Sequence, residues 1–399
     1  MVVAVAAMRI LHVTNSYLPR LGGIELHVRD LAERQRAAGD DVLVVTAERD
    51  PRGTASPGIV RIPTTPGAIG ARPHLVGLMR QWRPDVVHAH LSVVSPFAWA
   101  ALRAAAHDEG AARVATLHSM LPAHPGLVRH GLRRSGIGTD LAFAAVSRVA
   151  ADRLAAALPP AVSVTVLPNG IDPAMWRVGH VPDPTFRILV VGRLAARKRP
   201  LVALDALSRL RGLAPDLRWQ ATFVGDGPQR RQLEDLIRRR DLADQVRTLG
   251  PQPRETIRHH LARTDVLLCP ASLESFGIAA LEARCAGVPI VAMAGSGVTE
   301  FVRHGSEGLL VSGDADLAPT LLYAADPRVA DHLRATSTTT PTGLEWSVIL
   351  ERHAALHRAA MTAQGRGVLR CASRYARPSE ARPVRRPRAP RSRHPAGAV

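Results

Sequence analysis

Short apolar runs alternate with longer amphipathic stretches along almost the whole chain. Residues 9–13, 41–46, 85–90, 113–118, 141–146 and 164–167 are compact, mostly aliphatic runs. They are too short for helices and have the near-continuous apolar character of strands buried on both faces. Between them, 24–38, 94–107 and 148–157 carry the three-to-four-residue apolar spacing of helices. Strands alternating with helices predict βαβ units and a parallel sheet. The series pauses at 176–186, where Gly179, Pro182 and Pro184 fall without a period and read as an interdomain linker. A second series follows, with strands at 187–191, 221–224, 247–249, 265–269, 289–293 and 308–311. Its helices are at 200–210, 229–239, 255–262 and 277–286, and Pro200 suits a first helical position, where its missing N–H costs nothing. A polar break at 337–342 precedes one more helix at 344–361. The pattern predicts an α/β protein of two parallel-sheet domains, 1–178 and 179–343, then a helix, 344–363, and a tail, 364–399.

A length of 399 residues suits two domains. Hydrophobic residues make up 46% and aromatics only 4%, so small aliphatic side chains dominate, as in helices packed on parallel sheets. No apolar run is long enough to span a bilayer. Residues 1–13 lack a basic segment followed by a cleavage site, so the chain reads as cytoplasmic. The three cysteines, Cys269, Cys285 and Cys371, match neither a metal site nor a disulfide framework. Net charge is +18, and half of it comes from ten Arg and one Glu in 366–399. That Pro- and Arg-rich tail has no apolar period and reads as disordered. It is either a solvated end or an arm for an anionic membrane or nucleic acid. The body remains basic, which suits a phosphate-rich substrate or an anionic membrane surface, and it carries no nucleic-acid motif.

Open parallel sheets bind ligands beyond the carboxyl ends of their strands, so the loops after strands are where chemistry is expected. Gly22 and Gly23 follow the first strand and open a helix, which allows close backbone approach and offers amides to an anion. Gly192, Arg193 and Lys198 follow the first strand of the second series, where two cations could hold a diphosphate. Gly225-Asp226-Gly227-Pro228 reads as a tight turn. Glu274 falls on a loop, and Glu282 in the helix after it. The amides of Phe276, Gly277 and Ile278 sit at that helix start, ready for a phosphate or a hydroxyl. Both carboxylates could accept hydrogen bonds from a polyol. The apolar neighbours of Glu282 place it in a buried helix, where a carboxylate needs a partner. His118 ends a strand and is either a neutral hydrogen-bonding group for a ligand or a satisfied structural histidine. His88 and His90 share a strand face but have no acidic or Cys partner nearby, so no metal site is expected. Asp314-Ala315-Asp316 spells D-x-D, yet its place before Leu317 reads as a helix cap.

The ordered set is more specific than its parts. It comprises Gly22-Gly23-Ile24-Glu25, His118, Pro168-Asn169-Gly170-Ile171-Asp172, Gly192-Arg193-Leu194 with Lys198, Gly225-Asp226-Gly227-Pro228, and Glu274 seven intervening residues before Glu282. In this order the motifs resemble those of the family 4 retaining glycosyltransferases of the GT-B fold, across residues 8–361. The resemblance implies two Rossmann-like domains facing across a cleft, with the last helix crossing back to the first. It implies metal-independent transfer of a hexosyl group from a nucleotide-diphosphate sugar to a hydroxyl acceptor, with no cofactor beyond the donor. Arg193 and Lys198 would hold the donor diphosphate, and Glu282 the ribose. Glu274, with the amides of Phe276, Gly277 and Ile278, would grip the transferred hexose, and His118 would touch the sugar near the reaction centre. Gly22 and Gly23 would form the loop near the distal phosphate and acceptor, Gly192 would belong to the donor site, and Leu249 and Gly250 would lie by the base. The implied partners are the donor, a lipid, small polyol or glycan acceptor, and an anionic membrane face. The family commonly has Gly after the lysine where this chain has Arg199, and the tail lies outside the pattern. Rival readings are a nucleotide-sugar epimerase of similar architecture and a non-catalytic nucleotide-sugar binder. The intact Arg193, Lys198, Glu274 and Glu282 set argues against a decayed site.

Overall fold

The structure is a computed structural model that describes residues 7–51, 53, 56–64, 68, 70–106, 111–121 and 141–364. The basic tail and Cys371 lie outside the described residues. Seven strands form the first sheet: β1 Arg9–Thr14, β2 Asp41–Thr46, β3 Ile59–Arg61, β4 Val86–Leu91, β5 Ala112–Leu117, β6 Ala142–Ala145 and β7 Val164–Val166. Their order is β3-β2-β1-β4-β5-β6-β7 and every pairing is parallel. Six more form the second: β8 Phe186–Val191, β9 Trp219–Val224, β10 Val246–Leu249, β11 Val266–Cys269, β12 Ile290–Met293 and β13 Gly308–Val311. They run β10-β9-β8-β11-β12-β13, again all parallel. The aliphatic runs become strands because helices cover both faces of each sheet, and β4 and β5 are buried along their whole length.

Each sheet reverses its order beside its first strand, between β1 and β4 and between β8 and β11. These are topological switch points, where crossover helices leave a crevice at the carboxyl edge. The loops after β1 and β8 therefore bring Gly22-Gly23 and Gly192 to Lys198 to the two crevices, and the loop after β11 adds Glu274.

Helix Trp346–Ala363 lies on the first sheet, although it follows the second sheet in sequence. Its Leu356, Ala360 and Met361 pack with Ile10, Val44 and Val114. The Pro168-Asn169-Gly170 motif fits this return. A Cβ on Gly170 would sit 2.5 Å from the Trp346 ring, and Ile171 exchanges backbone hydrogen bonds with Leu344 and Trp346. Among the described residues no helix is long and apolar enough to cross a membrane.

Several elements depart from the sequence reading. β3 and helix Ala71–Trp82 fill a stretch where no element was expected. Pro173–Trp176 is a helical turn capped by Asp172, and Trp176 is 1% exposed, so the irregular segment begins after it. Helices Leu317–Ala324 and Pro327–Thr339 also went unread, the second running into the expected polar break. The hydroxyls of Thr336, Thr338 and Thr339 donate to carbonyls four residues earlier, so these threonines are satisfied within the helix, and the buried Ser337 Oγ donates to the Glu307 carbonyl at 3.4 Å.

Candidate active site

The second-domain loops are held by backbone contacts that only glycine permits. Gly225, at φ +137°, lies so near Gly192 that a Cβ would sit 2.1 Å from the Gly192 carbonyl oxygen. A Cβ on Gly227 would lie 2.4 Å from the Leu194 carbonyl oxygen, and Leu194 N–H donates to the Asp226 carbonyl at 2.9 Å. The turn after β9 is thus the bed for the loop after β8. Leu249 joins them, its carbonyl accepting from the Gly225 amide at 3.1 Å. Arg193 stands exposed at the loop tip, without an ion pair or side-chain hydrogen bond among the described residues.

Ala196–Lys198 form a single 3₁₀ turn that delivers its own two cations to different places. Lys198 Nζ pairs with Glu274 Oε2. Arg197 crosses to the first domain and donates to the Met120 carbonyl at 2.6 Å. Burial alone would raise the Glu274 pKa. The Lys198 charge and hydrogen bond, helped by the Phe276 amide, outweigh it and hold the carboxyl below its ordinary value. The Glu274 loop is pinned by Gly297, whose amide donates to the Glu274 carbonyl at 2.8 Å. Gly277, at φ +92°, then turns the chain into helix Ile278–Cys285. Phe276 is buried against Phe301.

Across the cleft, His118 follows β5. Its carbonyl accepts from Ser275 Oγ at 2.7 Å, and its Nε2 lies 2.9 Å from His90 Nδ1. Burial, and then His27, hold its imidazole well below the ordinary value, so it is neutral. A Cβ on Gly23 would be 3.1 Å from Ile278 Cδ1. The structure therefore gathers His118, Lys198, Glu274, Gly23 and the start of the Ile278 helix into one closed cleft.

Glu282 is 8% exposed, and its carboxylate makes no hydrogen bond or ion pair among the described residues, with the Lys198–Glu274 pair or with any other group. Burial pushes its pKa up to about 8; Arg254 opposes the rise and Asp30 adds to it. The unfolded chain releases this proton near pH 4.5, whereas the folded chain keeps it until about pH 8. Stability must fall over that interval, because the unfolded state there binds fewer protons. Glu282→Gln cannot titrate. Its melting temperature minus that of wild type should grow from pH 4.5 to about 8 and then level off. Parallel melting curves across that range would show that Glu282 ionises normally.

Other contacts that close the cleft were not read from the sequence. Arg254 bonds Asp30 at 2.7 Å, and Glu300 accepts from the Arg148 amide at 2.5 Å. With Arg197 and Ser275, these join residues 77 to 224 positions apart, and nothing local announces them. The Asp314-Ala315-Asp316 carboxylates are engaged, Asp314 with Arg199 and Asp316 with the Gly313 amide. Cys269 and Cys285 are half-buried, and burial pushes both thiols up to about 12.

Two family profiles cover most of the described chain. The one described as Glycosyltransferase Family 4 matches residues 21–175, and Glycosyl transferases group 1 matches 176–321. A GDP-mannose-dependent alpha-(1-6)-phosphatidylinositol monomannoside mannosyltransferase of Mycobacterium tuberculosis H37Rv is 31% identical over 363 residues, covering 81% of this chain and 91% of the relative. The chain belongs to glycosyltransferase family 4. The transferase also resembles a glycogen synthase of the same bacterium, at 30% identity over 76% of this chain and 82% of the relative. A D-inositol 3-phosphate glycosyltransferase of Thermobifida fusca is 25% identical over 85% and 89%. Among solved structures, Anabaena Alr3699/HepE in complex with UDP-glucose superposes with a TM-score of 0.71 at 21% identity, covering 87% of this chain and 98% of that one. That likeness shows the GT-B fold. The protein is thus a two-sheet GT-B glycosyltransferase that uses a nucleotide-sugar donor.

Proposed function

We propose that this transferase moves a hexosyl group from a nucleoside-diphosphate sugar to a hydroxyl of its acceptor, with retention of anomeric configuration and without a metal at the diphosphate. The observation that carries the reading is the Ser275–His118 hydrogen bond beside the Lys198–Glu274 pair. It brings the backbone of His118, whose imidazole is neutral, from one domain against the loop of the other that carries the ionised carboxylate and its cation.

A glycosyl–phosphate bond breaks through an oxocarbenium-like state. Negative charge grows on the departing diphosphate, where Arg193, Lys198 and the amides at the Ile278 helix start stabilise it. Glu274 takes hydroxyls of the hexose, and His118 orients the sugar by accepting or donating one hydrogen bond. Glu282 takes the ribose hydroxyls, with Leu249 beside the base and Gly22-Gly23 beside the distal phosphate and acceptor. A donor phosphate oxygen takes the acceptor proton as attack occurs on the face the diphosphate leaves. The acceptors named for relatives are a phosphatidylinositol mannoside and an inositol phosphate. The basic body suits such phosphate-bearing acceptors and an anionic membrane face where a lipid acceptor would reside.

A donor-by-acceptor screen read by mass spectrometry tests the reading. GDP-mannose, UDP-glucose and UDP-N-acetylglucosamine are each offered with inositol phosphate, phosphatidylinositol or glucan. One combination should give acceptor heavier by a single sugar residue, with nucleoside diphosphate released. Donor isomerised without acceptor would mark an epimerase. Donor bound in every case but never consumed would mark a binding protein.

A further inference from the structure

The return of helix Trp346–Ala363 to the first sheet buries histidines that the transfer reaction does not use. His353 and His357, one turn apart on that helix, meet His88 of β4. His357 Nε2 lies 3.0 Å from His88 Nδ1. The ring centroids are 5.5 Å apart for His88 and His353, 5.1 Å for His88 and His357, and 6.0 Å for His353 and His357. All three offer a ring nitrogen within 4.8 Å of the others. Imidazoles bound tetrahedrally to zinc, each nitrogen about 2.0–2.1 Å from the metal, have nitrogens about 3.3 Å apart. Small ring rotations would bring these three to that spacing.

The surrounding bonds separate ligand candidates from ordinary core histidines. His88 Nε2 lies 2.7 Å from Thr116 Oγ1. A bond donated there leaves the Nδ1 lone pair facing the other two rings, as an outer hydrogen bond does for a metal-bound histidine. Neither ring nitrogen of His353 has a hydrogen-bond partner, and nor does His357 Nδ1, although His353 is 1% exposed and His357 0%. Such groups are costly to bury unless something satisfies them. The neighbouring rings are different. His12 bonds Gln35 at 2.6 Å and His90 at 2.9 Å, and His90 bonds His118 at 2.9 Å. In that chain each nitrogen of His12 and His90 is already engaged.

We propose that His88, His353 and His357 form a structural site for a zinc-class divalent cation, completed by water or hydroxide, that fastens the last helix to the first sheet. Burial keeps all three imidazoles in the neutral form that ligates. A zinc-bound water ionises readily, and its hydroxide would offset part of the buried charge.

The test uses the full chain, exchanged into metal-free buffer after incubation with zinc chloride. The protein should retain about one zinc per chain by elemental analysis. Reconstitution with cobalt(II) should give the intense visible bands of tetrahedral cobalt. His353→Leu supplies a readout whose sign differs between the two cases. If the site binds metal, the variant loses the zinc and the cobalt bands and melts below zinc-loaded wild type. If these are only core histidines, leucine removes two unpaired nitrogens and melting rises. Wild-type protein without retained zinc or cobalt bands would overturn the proposal, and so would a His353→Leu variant more heat-stable than zinc-treated wild type. Should the variant not accumulate as folded protein, the wild-type metal content and cobalt spectrum decide.

Discussion

Lys198→Ala is expected to lower turnover by about two to three orders of magnitude, the loss typical of removing one preorganised charge-stabilising donor. The protein should still fold, because the Lys198 side chain is 41% exposed, but it should melt below wild type at neutral pH, since the buried Glu274 carboxylate loses its partner. The same substitution should move the acid limb of the pH–rate profile upward. In wild type the Lys198 cation overcomes the burial that would raise the Glu274 pKa. Without Lys198 that burial is less opposed, and Glu274 protonates at higher pH. Arg193→Ala should also slow turnover, but without moving the acid limb, since Arg193 makes no ion pair with Glu274. Wild-type kcat in both variants, measured on folded protein, would remove these cations from the donor clamp.

Glu274→Gln should lower kcat by roughly two orders of magnitude and change the donor KM much less. The substitution keeps shape and hydrogen-bonding capacity but removes the negative charge beside a centre that becomes positive in the transition state. An interaction made mainly in the transition state shows in kcat, whereas uniform binding shows in KM. The fold should tolerate the change, because the Lys198 left behind reaches solvent. A raised KM with unchanged kcat would make Glu274 a ground-state sugar ligand and nothing more.

How legible the chain was depended on whether a feature is local. The strands of both sheets could be read because burial on two faces demands unbroken aliphatic runs, as in Val86–Leu91 and Ala112–Leu117. β3 could not, being three half-buried residues that owe their conformation to pairing with β2. Helix Ala71–Trp82 was obscured by Pro73 and Gly77, although Leu75 and Met79 form its buried stripe. The run from Ser337 to Thr339 looked like a break because its hydroxyls bond carbonyls, those of Thr338 and Thr339 within the helix and that of Ser337 at Glu307, which leaves no apolar signature. The loops carrying Lys198 and Glu274 were recognisable because each is a contiguous motif after a strand. Their pairing across 76 residues was not, and neither was the partnership of His88 with His357 across 269. The one sequence sign of the latter is a pair of histidines four residues apart on an otherwise amphipathic helix.

The central claim joins the donor clamp to the stereochemistry of transfer. In the proposed mechanism side-chain cations and helix amides neutralise the diphosphate, so added divalent metal would not be required. On that proposal the leaving group and the acceptor would share one face of the sugar, so configuration would be kept. Proton NMR of the anomeric centre in the first-formed product tests both, with added metal and after chelation too brief to strip an ion from beneath the last helix. The account predicts the donor's own anomeric configuration in the product and equal rates in the two conditions. An inverted product, or turnover that returns only when divalent metal is added back, would contradict it.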